Sequence, residues 1–131
     1  MLLRVIAAGT KLPKWMNDAV EEYGSRLQGS DYKFELTEIA LGQRSGGDTS
    51  RATAKEGERM LAALSSRPYV VALQVAGKAM STEQLAKFLE THSHDGRDVA
   101  FCIGGPEGLA PEVDPHGVGV GLGVGVAVGR E

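Results

Sequence analysis

Two short stretches of the sequence set glycine directly after an apolar run, where side chains give way to bare backbone. One is Leu73-Gln74-Val75-Ala76-Gly77-Lys78 and the other is Ile103-Gly104-Gly105-Pro106-Glu107-Gly108. Glycine adopts backbone conformations closed to other residues and lets amides approach a ligand, while Pro106 fixes its own φ and stiffens its loop. Such loops suit a nucleoside or amino-acid-like cofactor held by main-chain hydrogen bonds. Neither stretch is a G-x-G-x-x-G turn opening a helix after the first strand, and G-x-x-x-x-G-K-[ST] is absent. Dinucleotide and nucleoside-triphosphate readings therefore lose support. From the residues alone a tight turn without any ligand explains G-G-P equally well.

The remaining reactive side chains point to ordinary structural duties. His92 and His94 flank a helix end, where cationic groups complement the helix dipole, and His-Ser-His without carboxylate or thiolate company is a poor metal site. Cys102 lies inside an apolar run, as a buried core thiol does. It has no second cysteine to pair with and offers no zinc site. Glu107 either braces its loop or approaches the ligand. No nucleophile–histidine–acid arrangement is suggested.

The elements that would position these loops alternate regularly. Leu2 to Ala8 is an apolar run closed by Gly9, a buried strand of a parallel sheet. After Pro13 the period changes. Trp15, Met16, Ala19, Val20, Tyr23 and Leu27 share a helical arc, with Asp18, Glu21, Glu22 and Arg26 on the rest and Gly29 as a stop. Trp15 on that arc reads as core or interface packing. Phe34 to Ile39 alternates like a strand near a sheet edge.

A polar, glycine-rich loop from Gly42 to Ser50 carries Arg44. A helix from about Arg51 to Leu64 follows, with Ala54, Met60, Leu61 and Leu64 expected inward and Lys55, Glu56, Glu58 and Arg59 outward. Tyr69 to Leu73 reads as a central parallel strand. Ser81-Thr82-Glu83-Gln84 is a capping box opening a helix to about His92. Asp95-Gly96 makes a turn, and Val99 to Ile103 is another buried strand. Four strands alternating with helices predict an α/β fold, a parallel sheet with flanking helices.

The totals fit one domain over 1–131 with an unusual Gly/Val-rich tail at 110–131. The chain has 131 residues, 42% of them hydrophobic and 24% charged, as folded globular proteins have. A formal charge of −3 argues against indiscriminate nucleic-acid binding but permits a local basic patch. Lys11, Lys14, Arg44 and Arg51 are candidates for one, with scattered solvated charges as the alternative. No apolar run approaches a bilayer's width, and no basic segment precedes the apolar start. The expected location is the cytoplasm, with no membrane partner.

Several motifs occur together in one order: V-I-A-A-G-T-K at Val5 to Lys11, E-Y at Glu22-Tyr23 and F-E-L-x-E-I at Phe34 to Ile39. They continue with K-E-G-E at Lys55 to Glu58, L-x-x-x-G-K at Leu73 to Lys78, G-R-D-V at Gly96 to Val99 and I-G-G-P-E-G. Over about residues 1–110 this set closely resembles the ribosomal RNA large subunit methyltransferase H family of small SPOUT-class enzymes. The resemblance implies a SPOUT-type fold with a C-terminal trefoil knot, a homodimer, and S-adenosylmethionine (S-adenosyl-L-methionine, SAM) as cofactor. It implies N3-methylation of a pseudouridine in large-subunit ribosomal RNA, with the ribosomal RNA, large ribosomal subunit or assembled ribosome as partner. By position Leu73 would border the adenosine, and Gly104 and Gly105 would give close backbone contacts. Gln74 stands where such members often carry aspartate.

Beyond Leu109 the resemblance is poor. Pro115-His116 and Arg130-Glu131 are the only short echoes of the family, so His116 and Arg130 are the candidates for facing the RNA base. A loop histidine and a free surface charge are their plain alternatives. Residues Gly117 to Gly129 alternate glycine with valine or leucine over most of their length, which suits neither a stable helix nor an ordinary strand. Two rival functions follow: a non-catalytic cofactor- or RNA-binding remnant of the same fold with a defective knot, and a phosphate-binding α/β module.

Overall fold

The computed structural model describes residues 1–43, 49–64, 68–78, 81–104, 109–110, 113 and 121–124, the backbone alone for 74–78 and 121–124. Among the described residues eight elements follow in order: β1 (Leu2–Ala8), α1 (Lys14–Ser25), β2 (Lys33–Ile39), α2 (Ser50–Ala63), β3 (Tyr69–Lys78), α3 (Thr82–His92), β4 (Val99–Ile103) and β5 (Gly121–Val124). The strands form one parallel sheet in the order β2-β1-β4-β3-β5. The predicted α/β architecture is therefore present, with β2 at an edge as its alternation suggested. No helix among the described residues is long and apolar enough to cross a membrane.

Strand β4 is the heart of the sheet. It inserts between β1 and β3, pairing Leu3 with Val99 and Ala7 with Ile103 on one side, Tyr69 with Val99 and Leu73 with Ile103 on the other. Because successive side chains point to opposite faces, β4 feeds two cores. Ala100 and Cys102 join Ile6, Ile39, Val70 and Met60 of α2 on one face. Val99 joins Leu3, Tyr69 and Val71 on the other, where Phe88 and Leu89 of α3 pack. Val99, Cys102, Val70 and Val71 are all 0% exposed. Such complete burial on both faces explains why these runs are continuously apolar.

The helix ends follow local chemistry. Ser81 Oγ accepts the Gln84 amide at 3.1 Å and Gln84 Oε1 accepts the Ser81 amide at 2.9 Å, the capping box expected there. Lys14 and Asp18 pair one turn apart at 2.8 Å in α1. That helix buries no residue fully, and Trp15 is 70% and Tyr23 65% exposed. The core alternative for Trp15 is thus overturned, because helical spacing defines an apolar arc but not what covers it.

Two expectations for α2 are also reversed. Ala54 is exposed and Glu56 is buried, with only 2% of its surface accessible. Glu56 Oε2 accepts the Gly42 amide at 2.9 Å, so the carboxylate serves the loop before α2. Gly42 packs close to the helix: a Cβ on it would lie 2.5 Å from the Ala52 carbonyl oxygen and 2.6 Å from its Cα. Gly42 is required for this approach.

At the amino edge a polar cluster braces β3 against α3. The Tyr69 hydroxyl donates to Asp95 Oδ2, and His92 Nδ1 lies 2.8 Å from the same oxygen. The Arg97 guanidinium stacks 3.9 Å above the Tyr69 ring and donates to the Pro68 carbonyl at 3.1 Å. Hydrogen bonds from Tyr69 first, and from His92 second, hold the Asp95 carboxyl below its ordinary value.

Two tests follow from this packing. Gly42→Ala should destabilise the protein by about 1–3 kcal/mol, the usual cost of forcing atoms into packed space, read as a lower urea midpoint. A carboxyl whose folded pKa is depressed lends stability that is complete above its unfolded pKa and lost as pH falls through the folded one. Urea midpoints taken from about pH 5 to about pH 2 should therefore fall less in Tyr69→Phe than in the parent protein. Equal falls would show that the bond to Asp95 contributes nothing in acid.

Candidate functional site at the carboxyl edge of the sheet

In a parallel sheet, ligand crevices open where neighbouring strands send their connections in opposite directions. Strands β1 and β4 are such neighbours. The chain leaves β1 through α1 toward β2, whereas after β4 the segment holding Leu109, Ala110 and Val113 packs on the opposite core and leads to β5 beyond β3. The carboxyl ends of β1 and β4 thus bracket a switch point. Gly104 immediately follows β4 there, level with the end of β1, because Ala7 pairs with Ile103.

Leu73 and Ile103 are directly paired across β3 and β4 at this edge. Leu73 is partly buried against the core that holds Val71 and Tyr69, and Ile103 is 40% exposed. Together they form an apolar ledge ending in the side-chain-free Gly104. Leu73 and Gly104, singled out in the sequence, are therefore brought to the same edge. Gly105 and Glu107 lie outside the described residues, as do Arg44, His116 and Arg130.

The stretch after Leu73 differs from the expected turn, since β3 continues to Lys78. Leu73 and Lys78 both pair with Val124 of β5, so the chain between them bulges away from its neighbour. A glycine-bearing segment still leaves the ladder at the carboxyl edge, but as an irregularity within a strand. The Gly/Val tail also departs from expectation: Gly121–Val124 forms β5, parallel to β3. Pairing along a preformed neighbour supplies the backbone hydrogen bonds that outweigh the poor strand propensity of glycine.

Two loops flank the crevice. After β1, Gly9 (φ 131°) donates to the Ile39 carbonyl at 2.8 Å, and Lys11 adopts φ 60° before Pro13 caps α1. After β2, Arg59 donates to the carbonyls of Ala40 at 2.8 Å and Leu41 at 3.2 Å, leaving Leu41 44% exposed. Helices that follow strands begin at this edge, so Lys14 and Arg51 join Lys11 there, all three exposed. The basic rim suggested by the sequence is brought to one edge as far as these three residues go.

Other groups are set apart from the crevice. The Cys102 thiol is pushed up to about 11 by burial, which removes it as a nucleophile near neutral pH. His92 is engaged with Asp95 at the opposite edge. No group of three or more His, Cys, Asp or Glu among the described residues could hold a metal ion. A groove of about 920 Å³ lies between α1 and β2. Its rim carries Asp18, Glu21 and Glu22 over Leu27, Phe34 and Leu36, with no glycine loop following a strand end.

Sequence reasoning missed Ile103, Glu56 and the conformation of Lys11. Ile103 had a usable signal as the last residue of its strand. Neither Glu56 nor Lys11 carried one, because their roles arise from contacts and geometry distant in sequence.

Comparison with known proteins agrees with this topology. The family described as "Predicted SPOUT methyltransferase" matches residues 1–117. Two relatives, each named "Ribosomal RNA large subunit methyltransferase H", come from Stenotrophomonas maltophilia strains K279a and R551-3. Each is 50% identical over 114 residues, covering 86% of this chain and 72% of the relative. The match is strong through the β1-to-β4 core and fades in the tail. The chain belongs to the SPOUT methyltransferase family, on the branch of the ribosomal RNA large subunit methyltransferases H.

Proposed function

We propose that this protein methylates N3 of a pseudouridine in large-subunit ribosomal RNA, using SAM and acting as a homodimer in the cytoplasm. The observation that carries the reading is the switch point between β1 and β4, with Leu73 of β3, Ile103 of β4 and Gly104 beside it at the same carboxyl edge. The ledge fits SAM: Leu73 and Ile103 offer an apolar seat for the adenine, and Gly104, with Gly105 after it, leaves room for close backbone contact.

SAM, when bound, supplies an electrophilic methyl group on a sulfonium. The chain's own task is to hold the acceptor nitrogen in line with that methyl and to exclude water, since proximity and orientation account for much of such a rate enhancement. The N3 proton must leave as the N–C bond forms, so a base or a nearby positive charge lowers the barrier. His116 and Arg130 are the candidates for facing the RNA base, contributed to either subunit's site. A trefoil knot formed by the segment after β4 would complete the walls of the crevice. The exposed arc of Trp15 and Tyr23 on α1 supports pairing with a second copy, because neighbouring exposed aromatics of that size mark interaction surfaces.

The test is calorimetric titration of the chain with SAM, its oligomeric state recorded in the same sample, followed by methylation of ribosomes and mass mapping of the modified nucleotide. Saturable binding to a dimer, with the new methyl at N3 of a pseudouridine, is the expected result. Ile103→Ala should weaken SAM binding about fivefold, in line with the apolar area it removes. A folded chain that ignores SAM would favour a non-catalytic remnant of the same fold.

A further inference from the structure

Lys11 is the only non-glycine residue with positive φ among the described residues, at 60°. Left-handed backbone is unfavourable for a lysine, whose side chain has no polar group near the backbone to offset it. Such strain persists where surrounding structure imposes it, and it collects at functional positions. The imposing contacts are visible. Gly9 is tied to Ile39 by its amide at 2.8 Å, and Leu12 accepts Asn17 Nδ2 at 3.3 Å. Pro13 then fixes the entry to α1. The chain turns within these few residues from the end of β1 into α1, and Lys11 occupies its left-handed position.

Glycine would suit that position better, yet the sequence puts a cation there. The side chain is exposed, and no carboxylate partners it among the described residues. Its neighbour Lys14, in contrast, is held by Asp18 at 2.8 Å. Lys11 also stands beside the switch point, two residues beyond Gly9 and next to the edge where Gly104 leaves β4. Arg51 lies at the start of α2 on the same edge. The acidic residues Asp18, Glu21 and Glu22 border the α1–β2 groove instead. A polyanion approaching the crevice thus meets Lys11 as an unneutralised charge at its mouth.

We propose that Lys11 is a positioning residue that contacts a backbone phosphate of the RNA strand, the strained turn holding its ammonium group at the mouth of the crevice. This assignment rests on the reading of the protein as an RNA methyltransferase. A phosphate contact fixes register and orientation without reading sequence. Its neutralising charge releases counterions, so it appears in the salt dependence of binding.

Lys11→Gly separates the two roles, because it removes the charge and relieves the strain together. Ribosome affinity should fall about tenfold, and the slope of log affinity against log salt should drop by about 0.7–0.9. The melting temperature of the same variant should rise by about 3 °C, because glycine accepts this backbone freely. SAM affinity should stay unchanged, and Lys11→Arg should retain both ribosome affinity and salt slope. A Lys11→Gly protein with the parent's ribosome affinity and salt slope overturns the contact. So does a variant whose melting temperature and SAM affinity fall together, which would make Lys11 structural. A parent chain that binds SAM but neither binds nor methylates ribosomes overturns the RNA reading itself, and the contact with it.

Discussion

The insertion of β4 between β1 and β3 is the constraint from which the rest of the molecule follows. A strand with parallel partners on both sides must bury both faces, and Val99, Ala100 and Cys102 do so almost completely. Helices then have to cover both faces, α2 on one and α3 on the other, where Leu27 just after α1 also packs. The same insertion separates β1 from β3 in space although β2 separates them in sequence. It is this rearrangement of order that makes the connections from β1 and β4 diverge and sets a topological switch point between their ends. Burial at the centre and access at the edge are two results of one pairing.

Along β4 the environment changes within five residues. Cys102 has no exposed surface, and Ile103 directly after it is 40% exposed. A thiol held at that depth is chemically quiet, and its small volume lets the sheet pack closely against Met60 and Val70. The apolar character of the strand continues to its end although burial does not. Apolar surface thus reaches the carboxyl edge of the sheet. Polar bracing is concentrated at the other edge, around Tyr69, Asp95 and Arg97. One end of the sheet is secured by its own side chains, and the other ends in an apolar ledge beside Gly104.

Much of this order was legible because it is periodic. The runs at Leu2–Ala8 and Val99–Ile103 and the capping box at Ser81 set their elements directly, since burial and capping are written in neighbouring residues. What escaped the sequence depends on partners far along the chain. Glu56 looks like one more surface charge on α2 until the Gly42 amide is brought against it. Trp15 has helical spacing whether protein, a second copy or solvent faces it. Glycine at Gly77 reads as a turn, yet the ladder resumes at Lys78 because β5 lies alongside. The Gly/Val tail has a weak local preference, and its strand exists through pairing with β3. Within the candidate site, Leu73 and Gly104 were readable from position. The ledge partner Ile103 and the conformation of Lys11 required the fold.

The place of β5 has a consequence for how the molecule is made. Strand β3 has its two neighbours at different sequence distances: β4 follows after one helix, whereas β5 lies further on, at Gly121–Val124. A ribosome releases the β1-to-β4 portion first, so for a time β3 is an open flank lined by buried-type valines. Such a flank can recruit a strand from any other nascent chain. A glycine-rich final strand is a gentle closure for it, because a segment with little preference of its own does not compete with β4 for the inner side of β3. Among the described strands, the one that emerges last is also the one with the weakest preference of its own.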